Sequence, residues 1–340
     1  MEGYQERDQT PSVLEIKSLL KGRRKLRMVY DCFPFFNELD ILKLRLAIMD
    51  PFVDRFVMEE SDVTFSGEPK EMIFASHREE FAPWLDKIIY IPVTDCPKGL
   101  APHDMDHWQK DHLLEGLREC EPDDVILFSD VDEIPNPDIL PGLMADMQHG
   151  AIYHLAQRMF YCFLNVEEVS GKLLSYSGDF EDAPRPMWLG TKLFFYDSLK
   201  GRGFWDLRTP EARKEDGIRV ADGGWHFGYM GGAHETDLAK RVGDKVQAAA
   251  HQEYNETEIL VQIADRIRTG QDIFGREAAF VRVEVDETYP AYLREHMDQY
   301  DYLLMPSYSG MQIACIKAGM RIKRIFRKVL RKVKRIAGKA

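Results

Sequence analysis

Two carboxylates at the end of a short apolar run are the residues of this chain best placed to do chemistry. Val125 to Phe128 are consecutive apolar residues, and Asp130, Asp132 and Glu133 follow before Pro135. Such a run predicts a strand buried on both faces, as in a parallel sheet, and ligands bind outside the carboxyl ends of such strands. Alternate residues of an extended chain point to one side, and two hard oxygen ligands suit Mg²⁺ or Mn²⁺ together with phosphate oxygens. Asp130 and Asp132 therefore predict a metal–phosphate site.

The same triplet has two other interpretations. An Asp-x-Asp at the end of a strand can serve only as a helix cap or a turn. It is also the pattern of haloacid-dehalogenase-type phosphatases, in which the first carboxylate, here Asp130, would be the nucleophile. That motif normally lies near the start of its domain and continues to Thr or Val, whereas here it lies far along the chain and continues to Glu133 and Ile134.

Composition places the chain among ordinary globular proteins. Its 340 residues are 44% hydrophobic and 30% charged, which favours one large domain or two small ones. We find no run of eighteen apolar residues that would predict a transmembrane helix, and the polar start of the chain is not a secretory signal. The five cysteines are scattered and odd in number, which indicates small core residues in a reducing compartment rather than a disulfide or zinc framework. We expect a cytoplasmic protein.

The last part of the chain differs sharply from the rest. Residues 317–340 contain eleven Lys or Arg and no acid, although the whole chain has a net charge of −12. Apolar residues recur there at steps of three and four, which predicts a basic amphipathic helix: Ile322, Ile325, Phe326, Val329, Leu330, Val333 and Ile336. We expect this helix to lie on an anionic membrane, so that the protein is peripheral. The alternatives are docking on the acidic body, a calmodulin-type partner or nucleic acid.

Strands and helices alternate in the first part of the chain. We predict strands over 26–30, 52–59, 87–92 and 125–128, with helices over 41–49 and 108–119. This alternation indicates an α/β layer with a parallel sheet. The pattern then changes to strands and loops, with strands over 152–155, 159–164 and 192–196 and helices over 235–250 and 256–269.

Outside residues 317–340 the chain is strongly acidic, which argues against nucleic-acid binding.

Five segments, in order along the chain, resemble glycosyltransferase family 17. The longest runs from Tyr30 to Leu42 (YDCFPFFNELDIL), and the others are Glu59–Lys70, Ser129–Pro135, Gly223–Tyr229 and His251–Glu253. The resemblance implies a GT-A type nucleotide-diphospho-sugar-binding fold, with a mostly parallel central sheet flanked by helices. It also implies a UDP-GlcNAc-like donor, a divalent metal and inversion at the anomeric carbon.

The resemblance also divides the chain. A glycosyltransferase domain is expected over 25–310, with a donor-nucleotide half (25–140) and an acceptor half (141–310). A polar segment over 1–24, with a short helix over 12–20, precedes it, and the basic helix over 311–340 follows. The animal members carry an N-terminal membrane helix, whereas this chain has the basic C-terminal one. We therefore expect a glycan or lipid-linked acceptor rather than assuming an N-glycan.

Roles for single residues follow from the resemblance and from their positions. Mn²⁺ or Mg²⁺ is expected on Asp130, Asp132 and His226, with Asp130 also reaching the ribose or a metal-bound water. Contacts with the donor are expected from residues after the first two strands, from a diphosphate-binding lysine and from an aromatic face: Asp31, Asn37, Glu38, Glu60, Ser61, Lys70, Asp130 and Trp225.

Most of these residues also have a purely structural interpretation. Asn37 would cap a helix, Lys70 would be an exposed surface lysine, and Trp225 and His226 would belong to the core. Glu133 would either support the metal ligands or cap a helix.

An inverting transfer needs a base for the acceptor hydroxyl. Asp222 is the first candidate, followed by Glu235 and Glu253. The glycines over 222–232 predict close approach of the backbone to a ligand and lid-like hinges. Trp188 is expected to line the acceptor cleft.

The sequence thus predicts a metal-dependent inverting glycosyltransferase that transfers GlcNAc from UDP-GlcNAc in β linkage. The competing hypotheses are a catalytically inactive glycan- or nucleotide-binding module held at a membrane, and the Asp-nucleophile phosphatase.

Overall fold

One ten-stranded sheet organises the molecule. The computed structural model describes residues 27–173, 187–208, 217–230, 237–249 and 262–337. The strands are β1 (Val29–Pro34), β2 (Arg55–Ser61), β3 (Ile88–Val93), β4 (Val125–Phe128), β5 (Glu133–Pro135), β6 (Ile152–Tyr161), β7 (Val166–Glu168), β8 (Trp188–Phe195), β9 (Gly217–Gly228) and β10 (Phe280–Arg282).

Eight α-helices lie in the described ranges. They are α1 (Leu39–Met49), α2 (Ile73–His77), α3 (Pro102–Asp111), α4 (Leu140–Ala145), α5 (Leu238–Ala248), α6 (Ile263–Arg268), α7 (Ala291–Glu295) and α8 (Gly310–Ala337). Short 3₁₀ turns over 78–84, 112–117, 196–199, 205–208, 297–299 and 301–303 join several of them.

The predicted parallel sheet is present in the first half of the chain. β1 lies between β2 and β4, and β3 pairs with the outer side of β2, all in parallel. Asp31 stands opposite Phe56 on one side and Leu127 on the other, so the three strands end at the same edge. The α/β class is thereby confirmed. β1 begins three residues later than predicted and continues to Pro34.

The second half of the sheet is mainly antiparallel, which differs from the predicted mostly parallel arrangement. β8 pairs antiparallel with β4 and with β6, and β7 pairs antiparallel with β6 and β10. β9 runs parallel to β6 and antiparallel to β5. β6 is a single strand over 152–161 where the sequence predicted two, because the polar residues between them, Gln157 and Arg158, are buried within the strand as well.

The glycine-rich segment is a strand rather than a hinge loop. Residues 222–228 belong to β9, which packs between β5 and β6. A Cβ at Gly223 would lie 2.6 Å from the Ala156 nitrogen, and a Cβ at Gly224 would meet the Ile134 carbonyl. Gly224 also has φ +133°, which side-chain-bearing residues rarely adopt. These glycines allow close approach of neighbouring strands rather than of a ligand.

The helices confirm most predicted positions. α1 agrees with the prediction, whereas α3 begins at Pro102 and ends earlier than predicted, because proline favours the first turn of a helix. α5 begins after Asp237, whose Oδ1 accepts a hydrogen bond of 2.9 Å from the Ala239 N–H and so caps the helix. The predicted helix over 12–20 lies outside the described residues.

The basic C-terminal segment is helical, as predicted. α8 extends over 28 residues from Gly310 to Ala337. None of the helices in the described ranges is both long and apolar enough to cross a bilayer.

Candidate functional site

A cavity of about 570 Å³ opens at the carboxyl ends of β1, β2 and β4. Parallel strands bring these ends to one edge of the sheet, where ligands bind in α/β folds. Residues following each of the three strands line it, and α3, α5 and β9 complete the wall: Pro34, Phe35, Phe36, Glu38, Glu59, Val63, Thr64, Phe65, Lys70, His103, Asp106, Gln109, Lys110, Asp130, Val131, Asp132, Tyr161, Trp188, Trp205, Arg208, His226, Gly228, Tyr229, Lys245, Ala248 and Ala249.

Asp130 holds two cations at the cavity. Its Oδ1 lies 3.2 Å from Lys110 Nζ, and its Oδ2 accepts a hydrogen bond of 2.8 Å from Arg208 Nη2. Burial favours the neutral acid, but Arg208 and Lys110 outweigh it and hold the pKa of Asp130 well below its usual value. The carboxylate is therefore ionised and already balanced by protein charges.

Asp132 faces a different pair of groups. Its Oδ2 accepts a hydrogen bond of 2.6 Å from Lys245 Nζ, and its Oδ1 lies 3.6 Å from His226 Nε2. The same ammonium lies 2.8 Å from Glu38 Oε1, so Lys245 bridges two carboxylates. Burial works against the charge of Lys245, yet Asp132 and Glu38 raise its pKa well above the usual value. His226 reaches this point because β5 and β9 pair with Glu133 opposite His226.

Arg45 fixes the acidic loop from behind. The guanidinium is fully buried and donates to the carbonyls of Asp130 (2.9 Å), Val131 (3.2 Å) and Glu133 (3.0 Å). It is itself held by Asp31 through hydrogen bonds of 2.6 and 2.9 Å. Asp31, predicted to contact the donor, is fully buried in this pair and lies outside the cavity. This assignment is corrected: Asp31 positions the loop through Arg45.

Glu133 supports the cavity wall from within the core. It is fully buried, accepts a hydrogen bond of 2.7 Å from Trp188 Nε1 and lies 3.3 Å from Arg208. Burial raises its pKa, but the Arg208 charge prevails and lowers the pKa to about 2. Glu133 therefore orients Trp188 and Arg208 and does not cap a helix. Trp188 lines the cavity, with its ring 5.4 Å from that of His226, and its role in an acceptor cleft stays a prediction.

The predicted three-ligand metal set is not assembled. Within the described ranges, no three His, Cys, Asp or Glu side chains converge as a metal site would need. Both oxygens of Asp130 contact cations, Lys110 and Arg208, and Asp130 does not converge with Asp132 and His226 on one point. Asp132 and His226 do face each other, and His226 Nδ1 is buried with no hydrogen-bond partner among the described residues. One carboxylate and one imidazole fit Mn²⁺ or Mg²⁺ when phosphate oxygens complete the coordination.

Four cationic side chains line the cavity: Lys70, Lys110, Arg208 and Lys245. Five acidic ones lie beside them: Glu38, Glu59, Asp106, Asp130 and Asp132. Charge-assisted hydrogen bonds from ammonium and guanidinium groups to phosphate are among the strongest that side chains make. The arrangement can therefore bind a polyanion such as a diphosphate.

Two predicted donor contacts on β2 lie away from the cavity. Glu60 is fully buried and accepts hydrogen bonds from Tyr90 (2.8 Å) and the Phe74 N–H (3.1 Å). Ser61 contacts Cys96 at 3.3 Å. Neighbouring residues of a strand point to opposite faces, so Glu60 faces away from Glu59, which lines the cavity. Ser61 is buried and does not line the cavity. Both assignments are corrected.

The remaining donor residues divide between the cavity and the core. Glu38 lines the cavity, and its pKa is lowered because Lys245 outweighs the effect of burial. Lys70 also lines the cavity, 3.5 Å from Glu60, and its contact with a diphosphate stays a prediction. Asn37 lies outside it and does not cap α1, which begins at Leu39 without a side-chain cap.

Two residues of β9 are not where the sequence prediction needed them. Trp225 is a core residue, and its Nε1 donates to the Thr288 carbonyl at 3.1 Å. Its predicted stacking on a sugar is therefore corrected. Asp222 is exposed and outside the cavity, which removes the first candidate for the base. The other two, Glu235 and Glu253, lie outside the described residues and stay predictions.

Four cavity residues were missed by sequence reasoning. Lys110, Arg208 and Lys245 lie in no motif, and only the fold brings them to the acidic pair. Glu59 is 1% exposed, and its Oε1 has no hydrogen-bond partner among the described residues. Burial raises the pKa of Glu59 well above its usual value, which favours a neutral carboxyl. The alternation of side chains along β2 was the signal that could have identified it.

Comparison with solved structures gives distant likenesses. Glucosyl-3-phosphoglycerate synthase from Mycobacterium tuberculosis in complex with phosphoglyceric acid has a TM-score of 0.37 and 14% identity, over 75% of this chain and 85% of that one. The same enzyme with Mn²⁺, UDP and phosphoglyceric acid has a TM-score of 0.36 and 13% identity, over 85% and 97%. At TM-scores this low, we draw no conclusion from the likeness.

Comparison at the level of sequence is more specific. The β-1,4-mannosyl-glycoprotein 4-β-N-acetylglucosaminyltransferase of Rattus norvegicus is 26% identical over 327 residues, and that of Homo sapiens is 25% identical. Each alignment covers 87% of this chain but only 58% of the relative's length. A family model described as Glycosyltransferase family 17 matches residues 4–177, half of the chain. The chain therefore belongs to glycosyltransferase family 17.

Proposed function

We propose that this protein is an inverting glycosyltransferase that transfers GlcNAc from UDP-GlcNAc, in β linkage, to a glycan or lipid-linked acceptor. Membership of the family supports glycosyl transfer, and the names of the relatives support GlcNAc. The observation that carries the proposal is the cavity at the ends of β1, β2 and β4, where Lys110 and Arg208 contact Asp130 and Lys245 contacts Asp132.

The cations of the cavity would bind the diphosphate of the donor. Lys110, Arg208 and Lys245 are each oriented by a carboxylate at 2.5 to 2.8 Å, so their positions are fixed before a ligand binds. Oriented charges need little rearrangement when a leaving group becomes more negative, which is the main source of electrostatic catalysis. The departing UDP would gain charge next to these groups.

Asp132 and His226 are the residues that would hold a divalent ion. A bound Mn²⁺ or Mg²⁺ would neutralise diphosphate charge as a Lewis acid. Lys245 also contacts the Asp132 carboxylate and has Glu38 as a second partner. It would move toward Glu38 if a cation bound to Asp132.

The neutral carboxyl of Glu59 is complementary in hydrogen bonding to the uracil ring of UDP. A protonated carboxyl offers one O–H donor beside one carbonyl acceptor. The imide edge of uracil presents the complementary pair, a carbonyl acceptor and an N–H donor. Phe36 and Phe65 also line this part of the wall and offer apolar faces to a base.

The reaction is a single displacement. The acceptor hydroxyl oxygen forms a bond to the anomeric carbon while the bond from that carbon to the diphosphate oxygen breaks. The electron pair leaves with UDP, and the hydroxyl proton passes to a base. Trp188, on the His226 side of the cavity, would cover the sugar and exclude water.

The test is release of UDP from a panel of UDP-sugars, with Mn²⁺, with Mg²⁺ and with EDTA. We expect turnover of UDP-GlcNAc, lost in Asp132→Asn and retained in Asp138→Asn, an exposed aspartate outside the cavity. UDP binding without turnover, with or without acceptor glycans, would favour the inactive binding module. Release of phosphate from phosphomonoesters would favour the phosphatase, which membership of family 17 argues against.

A further inference from the structure

The C-terminal helix α8 has a stripe of apolar side chains that are exposed to solvent. Met311, Ile322, Ile325 and Phe326 are 79%, 66%, 62% and 63% exposed. At 3.6 residues per turn these four positions fall within an arc of about 100°. Large apolar side chains on one face, exposed together, mark a surface that binds something.

The opposite side of α8 is the one that contacts the body. Met320 Sδ lies 3.9 Å from Thr269 Oγ1, and Lys323 Nζ donates to Asp265 Oδ2 at 2.7 Å. Met320 is about 160° around the helix from Ile322. Asp265 and Thr269 belong to α6 and its end, so α6 anchors α8 while the stripe faces away. Docking of this stripe on the body, one of the sequence interpretations, is not what the structure shows.

The charges beside the stripe define what it binds. Residues 317–340 carry eleven Lys or Arg and no acid. Arg321, next to Ile322, is exposed. In sequence, the same three- and four-residue spacing of apolar residues continues through Val329, Val333 and Ile336. A cationic rim around an apolar stripe is complementary to a surface with anionic groups above an apolar interior.

We propose that α8 attaches the protein to the surface of an anionic lipid membrane, with the stripe of Met311, Ile322, Ile325 and Phe326 inserted between headgroups. A second copy of the chain is a poorer fit, because two stripes facing each other would bring their cationic rims together. The acidic body would be repelled by the same lipids, so α8 is the attachment element. This inference does not depend on the donor or on the reaction.

The experiment is sedimentation of the full chain with phosphatidylcholine vesicles, with and without phosphatidylglycerol. We expect binding to the anionic vesicles at least about tenfold tighter than to the neutral ones, and release by high salt. The double substitution Ile322→Ser and Phe326→Ser should weaken binding more than about tenfold, since withdrawing one large apolar side chain from water is worth about that factor.

The matched control is Ile218→Ser with Val281→Ser, which changes two body residues that are each 43% exposed. It should bind vesicles like the wild type, and both double variants should keep the thermal melt of the body. Failure of the wild type to sediment with anionic vesicles would overturn the proposal, as would equal binding by the two double variants. Loss of self-association in the α8 variant, without wild-type vesicle binding, would assign the stripe to a second copy instead.

Discussion

Replacing Asp31 by Asn tests whether a residue outside the cavity holds the acidic loop in place. Asp31 and Arg45 are both fully buried, and the two carboxylate oxygens accept from Arg45 Nη2 and Nε. Asn keeps the shape but presents an N–H₂ group toward one of these donors and leaves the guanidinium charge uncompensated. Breaking a buried ion pair costs about 3–5 kcal/mol. We expect about 3 kcal/mol, because Arg45 keeps Ser129 and three carbonyls as partners.

The assay is urea unfolding followed by tryptophan fluorescence at neutral pH, with UDP affinity measured alongside. Asp138→Asn is the matched control, because Asp138 is exposed, and it should change the free energy of unfolding by less than about 0.5 kcal/mol. UDP affinity should fall in Asp31→Asn, since Arg45 fixes the backbone of Asp130 and Val131. A destabilisation below about 1 kcal/mol with unchanged UDP affinity would refute the reasoning.

Three further predictions concern the cavity wall and its strands. Glu59→Gln should raise the melting temperature at pH 8 more than at pH 5. The pKa of Glu59 is higher in the folded than in the unfolded protein, so the wild type loses stability as pH rises between these two pKa values, and the Gln variant does not. An equal shift of the melting temperature at both pH values would contradict this. Arg208→Met should lower the free energy of unfolding by about 3 kcal/mol at pH 7 and by less at pH 4. The pKa of Glu133 is held at about 2 mainly by the Arg208 charge, and stability from a depressed pKa is lost on acidification. A loss independent of pH would count against this. Gly224→Ala should destabilise the protein by at least about 1–3 kcal/mol, measured by thermal unfolding, since its Cβ would meet the Ile134 carbonyl.

The parallel half of the fold could be predicted because its signals are local. Each buried strand is a short apolar run, and α1 follows β1 with a clear helical spacing. The antiparallel half was harder, since β6 and β9 mix polar and apolar residues that are buried by pairing with distant strands. Gly223 and Gly224 let β9 pack against the backbone of β5 and β6. The local sequence around these glycines does not indicate which strands will lie next to them.

Asp130, Asp132 and His226 could be predicted, whereas among the four cations of the cavity only Lys70 could. Asp130 and Asp132 are recognised from one short segment, and His226 from a second. Lys110, Arg208 and Lys245 come from three other elements, and an isolated lysine or arginine in sequence is most often a surface residue. The error at Glu60 arises because residues next to each other on a strand face opposite sides. The error at Asp31 arises because its pairing with the buried Arg45 depends on the fold.

The most direct test of the account is calorimetric titration of UDP, with Mn²⁺ present, into the wild type, Asp132→Asn and Asp138→Asn. The account predicts that the wild type and Asp138→Asn bind UDP with similar affinity. In Asp132→Asn, affinity should fall by about tenfold or more, because the carboxylate that would hold Mn²⁺ beside the diphosphate is lost. No UDP binding by the wild type, or equal affinity in all three proteins, would contradict the claim that the cavity beside Asp132 is the donor site.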